Sequence, residues 1–211
     1  MPSQPISHTV TYMRHSLEVD YDYVGIVDGL TSADRLKHEI TEELAEFLAA
    51  AGVQVVIARV NNKAGLFASL EQFRKEAVEG KKFMLHFVAH GNENGIQAAT
   101  EFCQWNELQP FLQRVHTATN ETLILNMSTC KGLHGIKTTD RSGPFPCFGL
   151  IGAKTDLLVE DAKVANRKVY EKWLAGIPVQ RLVPETNHEL GKELLYNISS
   201  EGYRILSEAM Y

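Results

Sequence analysis

Five short apolar runs, each closed by a polar or glycine-bearing turn and separated by segments of helical spacing, limit what this chain can fold into. They are Tyr23-Val-Gly-Ile-Val-Asp28, Val53-Gln-Val-Val-Ile-Ala-Arg-Val60, Phe83-Met-Leu-His-Phe-Val-Ala89, Thr122-Leu-Ile-Leu-Asn-Met127 and Phe148-Gly-Leu-Ile-Gly152. Runs that are apolar at successive positions suit strands covered on both faces, whereas a half-exposed strand would alternate. Between them, Leu36, Ile40, Leu44 and Leu48 predict one helix after a Thr31 or Ser32 cap, and Leu66, Leu70, Phe73 and Val78 a second. Trp105 to Val115 predicts a third and Val159 to Leu174 a fourth, the latter stopped by Gly176 and Pro178. Strands joined by helices need crossover connections, so the expected fold class is α/β: a three-layer α/β/α domain with a mostly parallel sheet of about six strands. Ile177 to Val183 is the expected sixth strand, and His188 to Met210 is read as largely helical.

With 211 residues and 44% hydrophobic content, one domain spanning 1–211 is the expectation. Residues 1–20 read as an irregular N-terminal segment. Residues 131–146 carry Gly132, Gly135, Gly143, Pro144 and Pro146 and read as a flexible, exposed loop. A net charge of -5 without a block of basic residues gives no long-range attraction to phosphate or anionic lipid, so neither nucleic acid nor a membrane is an expected partner. No apolar run approaches the roughly 18 residues of a membrane span, and the first residues lack the pattern of a signal peptide. Three cysteines, Cys103, Cys130 and Cys147, cannot all pair within the chain, which points to reduced thiols and a cytoplasmic setting.

Ligands of an open parallel sheet gather at the carboxyl ends of its strands. Asp28-Gly29, His90-Gly91 and Cys130 stand at such ends. A thiol of ordinary pKa is little ionised at neutral pH, and an imidazole beside it can take its proton. Gly91 removes side-chain bulk, so that a substrate carbonyl could reach the backbone N–H groups of Gly91 and Cys130 as an oxyanion hole, each donor worth roughly 3 kcal/mol in the transition state. The plainer alternative is a structural cysteine packed as a small hydrophobe after its strand. His86, deeper in its run, reads as a core histidine. His134 with Cys130 and Cys147 lacks the paired spacing of a zinc site, so no metal and no cofactor are expected.

The runs Phe83-Met-Leu-His-Phe-Val-Ala-His-Gly91 and Leu123-Ile-Leu-Asn-Met-Ser-Thr-Cys130 resemble the two strand ends of the caspase-like cysteine peptidase clan. Phe148 to Asp156, leading into the segment Val159 to Pro178, looks like the corresponding stretch of bacterial CHAT-domain proteases. The resemblance implies a caspase-like fold and a cysteine endopeptidase with His90 as acid/base, Cys130 as nucleophile, and Gly91 and Cys130 as oxyanion donors. It makes Asp28 and Asp156 the candidates to receive a basic P1 side chain of a protein or peptide substrate. Lys137 and Arg141 mark a conceivable self-cleavage segment. The helical repeats often joined to CHAT domains are not in this sequence, so the resemblance implies a sensor on another chain or another mode of activation, and a monomer or an edge-paired homodimer fits by analogy. Two other functions stay open: a catalytically silent binding or scaffold module, and another cysteine-dependent hydrolase or acyltransferase.

Overall fold

The computed structural model describes residues 6–11, 16–139 and 143–209. In chain order the elements are β1 (Ile6–Thr11), β2 (Ser16–Tyr21), β3 (Tyr23–Asp28), α1 (Ser32–His38), α2 (Ile40–Ala50), β4 (Gln54–Arg59) and α3 (Lys63–Val78). There follow β5 (Phe83–Val88), β6 (Gly91–Asn92), β7 (Gly95–Ala98), β8 (Glu101–Gln104), α4 (Trp105–Ala118), β9 (Ile124–Ser128) and a 3-10 helix (Gly132–Thr138). The chain continues through β10 (Gly149–Gly152), α5 (Val159–Leu174), α6 (Val179–Leu190), β11 (Tyr196–Ser199) and α7 (Ser200–Ala209).

The five apolar runs lie in one six-stranded sheet of order β11-β10-β9-β5-β3-β4. Its strands run parallel except β11, which pairs antiparallel with β10. Several helices flank this mixed α/β sheet. Alternate strand residues sort into two apolar clusters, as a pleated strand requires. Val24, Ile26, Met84 and Val88 join Leu44 and Leu48 of α2, Val169 and Trp173 of α5 and Leu182 of α6. Val27, Leu85 and Phe87 join Leu66, Leu70 and Phe73 of α3 and Leu108, Leu112 and Val115 of α4. Among the described residues, no helix is long and apolar enough to cross a membrane.

Several expectations are corrected. Ile177 to Val183 is not a strand: Pro178 caps α6, whose Val179, Leu182, Val183 and Thr186 are buried at helical spacing. The sixth strand is β11, which falls inside the stretch read as helical, between α6 and α7. Part of the N-terminal segment is an antiparallel hairpin of β1 and β2 instead of irregular chain. The first helix breaks in two at Glu39, whose φ of 52° is left-handed, and this turns Leu36 outward, where it is 83% exposed. In α3 the last core position is Ala77, and Val78 faces solvent. Residues 131–146 do not form one open loop. The 3-10 helix buries Gly132, Gly135, Ile136 and Thr138, while Arg141 lies outside the described residues.

His86 is a fully buried core histidine, its Nδ1 3.1 Å from the Tyr170 hydroxyl. Burial pushes its pKa down to about 3 and that of the buried His116 down to about 4. An unfolded histidine binds its proton near pH 6.5, so below that pH the unfolded state takes up protons that the folded state refuses. Stability is therefore full above pH 6.5 and falls as the pH drops, by about 1.4 kcal/mol per unit for each histidine until its folded value is reached. Urea denaturation between pH 7 and pH 5 should show this decline, and His116→Gln should flatten it by about half.

Candidate functional site

Among the parallel strands the order is β4-β3-β5-β9-β10, so consecutive connections leave in opposite directions from the gap between β3 and β5. Such a switch point leaves a crevice at the carboxyl ends of the strands. His90 follows β5 and Cys130 follows the adjacent β9, and the last paired residues are Val88 and Ser128. Each candidate thus stands two positions beyond the same rung of the ladder. Close backbone approach shows that the strand ends meet: a Cβ on Gly91 would lie 3.0 Å from the Cys130 carbonyl oxygen and 2.9 Å from Thr129 Oγ1. Only glycine fits there without displacing its neighbours.

The ribbon after His90 keeps it at this level. β6, β7 and β8 form a small antiparallel sheet that sequence patterning does not reveal, because strands of two to four residues carry too few side chains to show a period. The Gln97 N–H donates to the His90 carbonyl at 2.8 Å, and the Ala99 N–H to the Gly29 carbonyl at 2.7 Å. Glu93, in the β6–β7 turn, meets Lys131 Nζ at 2.9 Å, which ties this ribbon to the residue after Cys130.

On the other side, the chain leaving Cys130 runs beside the chain leaving β10. Lys131 takes a left-handed φ of 55°, its N–H donates to the Thr155 carbonyl at 2.9 Å, and the Leu133 N–H donates to the Ala153 carbonyl at 2.9 Å. These bonds bring Leu157 to Cys130: the Leu157 N–H donates to Cys130 Sγ at 3.4 Å, and the thiol lies 3.7 Å from the Leu157 carbonyl. Beneath Cys130, Asn166 of α5 donates to Ser128 Oγ at 2.9 Å and accepts from Asn126 Nδ2 at 2.9 Å. The end of β9, two residues before Cys130, is therefore held by a buried polar cluster and not by apolar packing alone.

The two side chains face different partners. His90 Nε2 lies 3.3 Å from Asp34 Oδ2, and among the described residues no hydrogen bond joins the His90 ring to Cys130 Sγ. Asp34, in α1, is not among the residues that sequence patterning singles out; its only sequence signal is the Thr31 to Asp34 spacing of a helix cap. Its carboxyl is held below the usual range, first by the Thr31 hydroxyl and also by His90.

Asp28 is fully buried and already engaged. Its Oδ1 accepts from the Leu30 N–H at 3.0 Å, and its Oδ2 meets Arg35 Nε at 3.0 Å. Asp156 is exposed in the segment that carries Leu157 to Cys130. His134 is half-buried, its pKa lowered by burial and then by Lys137. Cys103 and Cys147 are buried, and burial pushes both thiols up to about 12. Cys130 alone among the three is part-exposed.

Comparison with protein-family models and with curated proteins finds no match to this chain.

Because only the thiolate is nucleophilic, the three thiols should separate cleanly. At pH 7 iodoacetamide should carboxamidomethylate Cys130 and leave Cys103 and Cys147 unmodified, as read by peptide mass spectrometry of the folded protein. In urea all three should react.

Proposed function

We propose that this protein is a cysteine endopeptidase with a three-layer caspase-like fold, in which Cys130 is the nucleophile and His90 the acid/base. The observation that carries the reading is the level placement of the two residues beyond the Val88–Ser128 rung, with Gly91 against the Cys130 backbone. In this reading Cys130 Sγ attacks the scissile carbonyl carbon and His90 accepts the thiol proton. The backbone N–H groups of Gly91 and Cys130 hold the oxyanion. Breakdown returns that proton from His90 to the leaving amine as the C–N bond breaks. Water, deprotonated by the same imidazole, then cleaves the thioester and releases the acid.

For substrate choice, the bond to Arg35 leaves Asp28 occupied, which shifts the basic P1 reading to Asp156. A carboxylate on the segment that touches Cys130 Sγ is suitably located to meet a Lys or Arg side chain beside the cleaved bond. The second reading, a silent binding module on the same fold, draws on the lack of a hydrogen bond between His90 and Cys130 among the described residues. Catalytic hydrogen bonds are often formed only with substrate in place, so that geometry is compatible with both readings.

Peptidyl acyloxymethyl ketones with Arg, Lys, Asp or Leu at P1 separate them. The wild type should be labelled on Cys130, fastest with Arg or Lys. Cys130→Ala should abolish labelling, His90→Ala should slow it by about a hundredfold, and Asp156→Asn should slow only the basic probes. A wild type that no probe labels would favour the silent module.

A further inference from the structure

We propose that Asp34 is the positioning residue of His90, a third member of the site that acts through the imidazole; this rests on the reading of His90 and Cys130 as the catalytic pair. The contact joins the two sides of the switch point, since Asp34 follows β3 and His90 follows β5. An imidazole that donates its Nε2 proton to a carboxylate keeps its Nδ1 lone pair free to accept another, and its ring is held in one orientation.

The placement of Asp34 is fixed from two directions. Within α1, the Asp34 N–H donates to Thr31 Oγ1 at 3.2 Å, and the Thr31 hydroxyl donates to Asp34 Oδ2 at 2.7 Å. The same carboxylate oxygen therefore takes the Thr31 hydroxyl and faces His90. The helix itself buries no residue, so apolar packing does not hold it in place. Arg35, next in sequence, does: its guanidinium reaches Asp28 Oδ2 at 3.0 Å, the Asp28 carbonyl at 3.0 Å and the Val60 carbonyl at 3.2 Å. Asp28 is fully buried, and a buried carboxylate holds its cationic partner firmly because separation would leave the charge uncompensated. Asp28, occupied by this pairing, thus anchors the helix that holds Asp34. On the facing side, the Gln97 bond to the His90 carbonyl fixes the imidazole's backbone.

The His90 side chain is 53% exposed and that of Asp34 28%, so the pair adds little to fold stability. Its effect should be on orientation, where a small loss of stability would accompany a measurable loss of reactivity.

The test is the rate of Cys130 alkylation by iodoacetamide from pH 5 to pH 9, in which the thiolate displaces iodide and no substrate need be known. The chains compared are wild type, Asp34→Ala, Asp34→Asn, His90→Ala and the double variant Asp34→Ala/His90→Ala. Leu36→Ala, exposed on the same helix, controls for α1. Thermal unfolding checks that each chain is folded, and Asp34→Asn, which keeps shape and an acceptor oxygen, stands in if Asp34→Ala is not. Asp34→Ala should slow the reaction about fivefold at pH 7 and move its pH profile toward that of His90→Ala, while Leu36→Ala matches wild type. In the His90→Ala background, removing Asp34 should change nothing further. A wild-type rate in Asp34→Ala, or an additive loss in the double variant, would overturn the Asp34 proposal and leave the His90–Cys130 reading in place. A wild-type rate in His90→Ala would overturn both.

Discussion

The parallel pairing of β5 with β3 on one side and β9 on the other is the constraint that brings His90 and Cys130 to one level at the candidate site. β5 has no free edge, and all six of its residues are buried between two covered faces, so it cannot shift in register without repacking both apolar clusters. A one-residue slip would exchange its two faces and place His86 in the cluster with α3 and α4. Held in this register, the strand delivers His90 to the level of Cys130 and across from the loop after β3. The segments leaving these three strand ends supply His90, Cys130 and Asp34.

Around that frame the polar groups divide into those that support and those that are presented. Asp28, Asn126, Ser128 and Asn166 are buried and bonded, and they hold backbone and helices in place. His90, Asp34 and Asp156 are wholly or partly open to solvent, and Cys130 is part-exposed. The set adds rigidity through two separate groups of bonds, Asp28 with Leu30 and Arg35, and Asn166 with Asn126 and Ser128. The arrangement suits a site whose reactive groups must be aligned within a fraction of an ångström while remaining accessible.

Most of the sheet was legible because its strands are covered on both faces and so read as continuous apolar runs. The span of α5, Val159–Leu174, was legible from its periodicity and its Gly176-Pro178 stop. What escaped was structure whose signal is short or local. β6 to β8 carry too few residues, and β11 is a four-residue antiparallel edge. α6 opens on branched residues that suit either element, and its helical period becomes visible only when Thr186 is included with Leu182 and Val183. At the site, His90, Gly91 and Cys130 were visible as strand-end residues. Asp34 was not, because α1 is held against the strand ends by the Asp28–Arg35 pair, which has no periodic signature. Asp28 was visible as a strand-end acid, but its partner Arg35 lay on a helix face that the pattern left unassigned.

Peptidase activity through His90 and Cys130 is tested most directly by the set of new amino termini that wild type, Cys130→Ala and His90→Ala produce in a defined library of denatured peptides. If the pair is catalytic, wild type creates termini that share a feature at the cleaved bond and that both variants fail to produce. Identical sets from all three chains would contradict it.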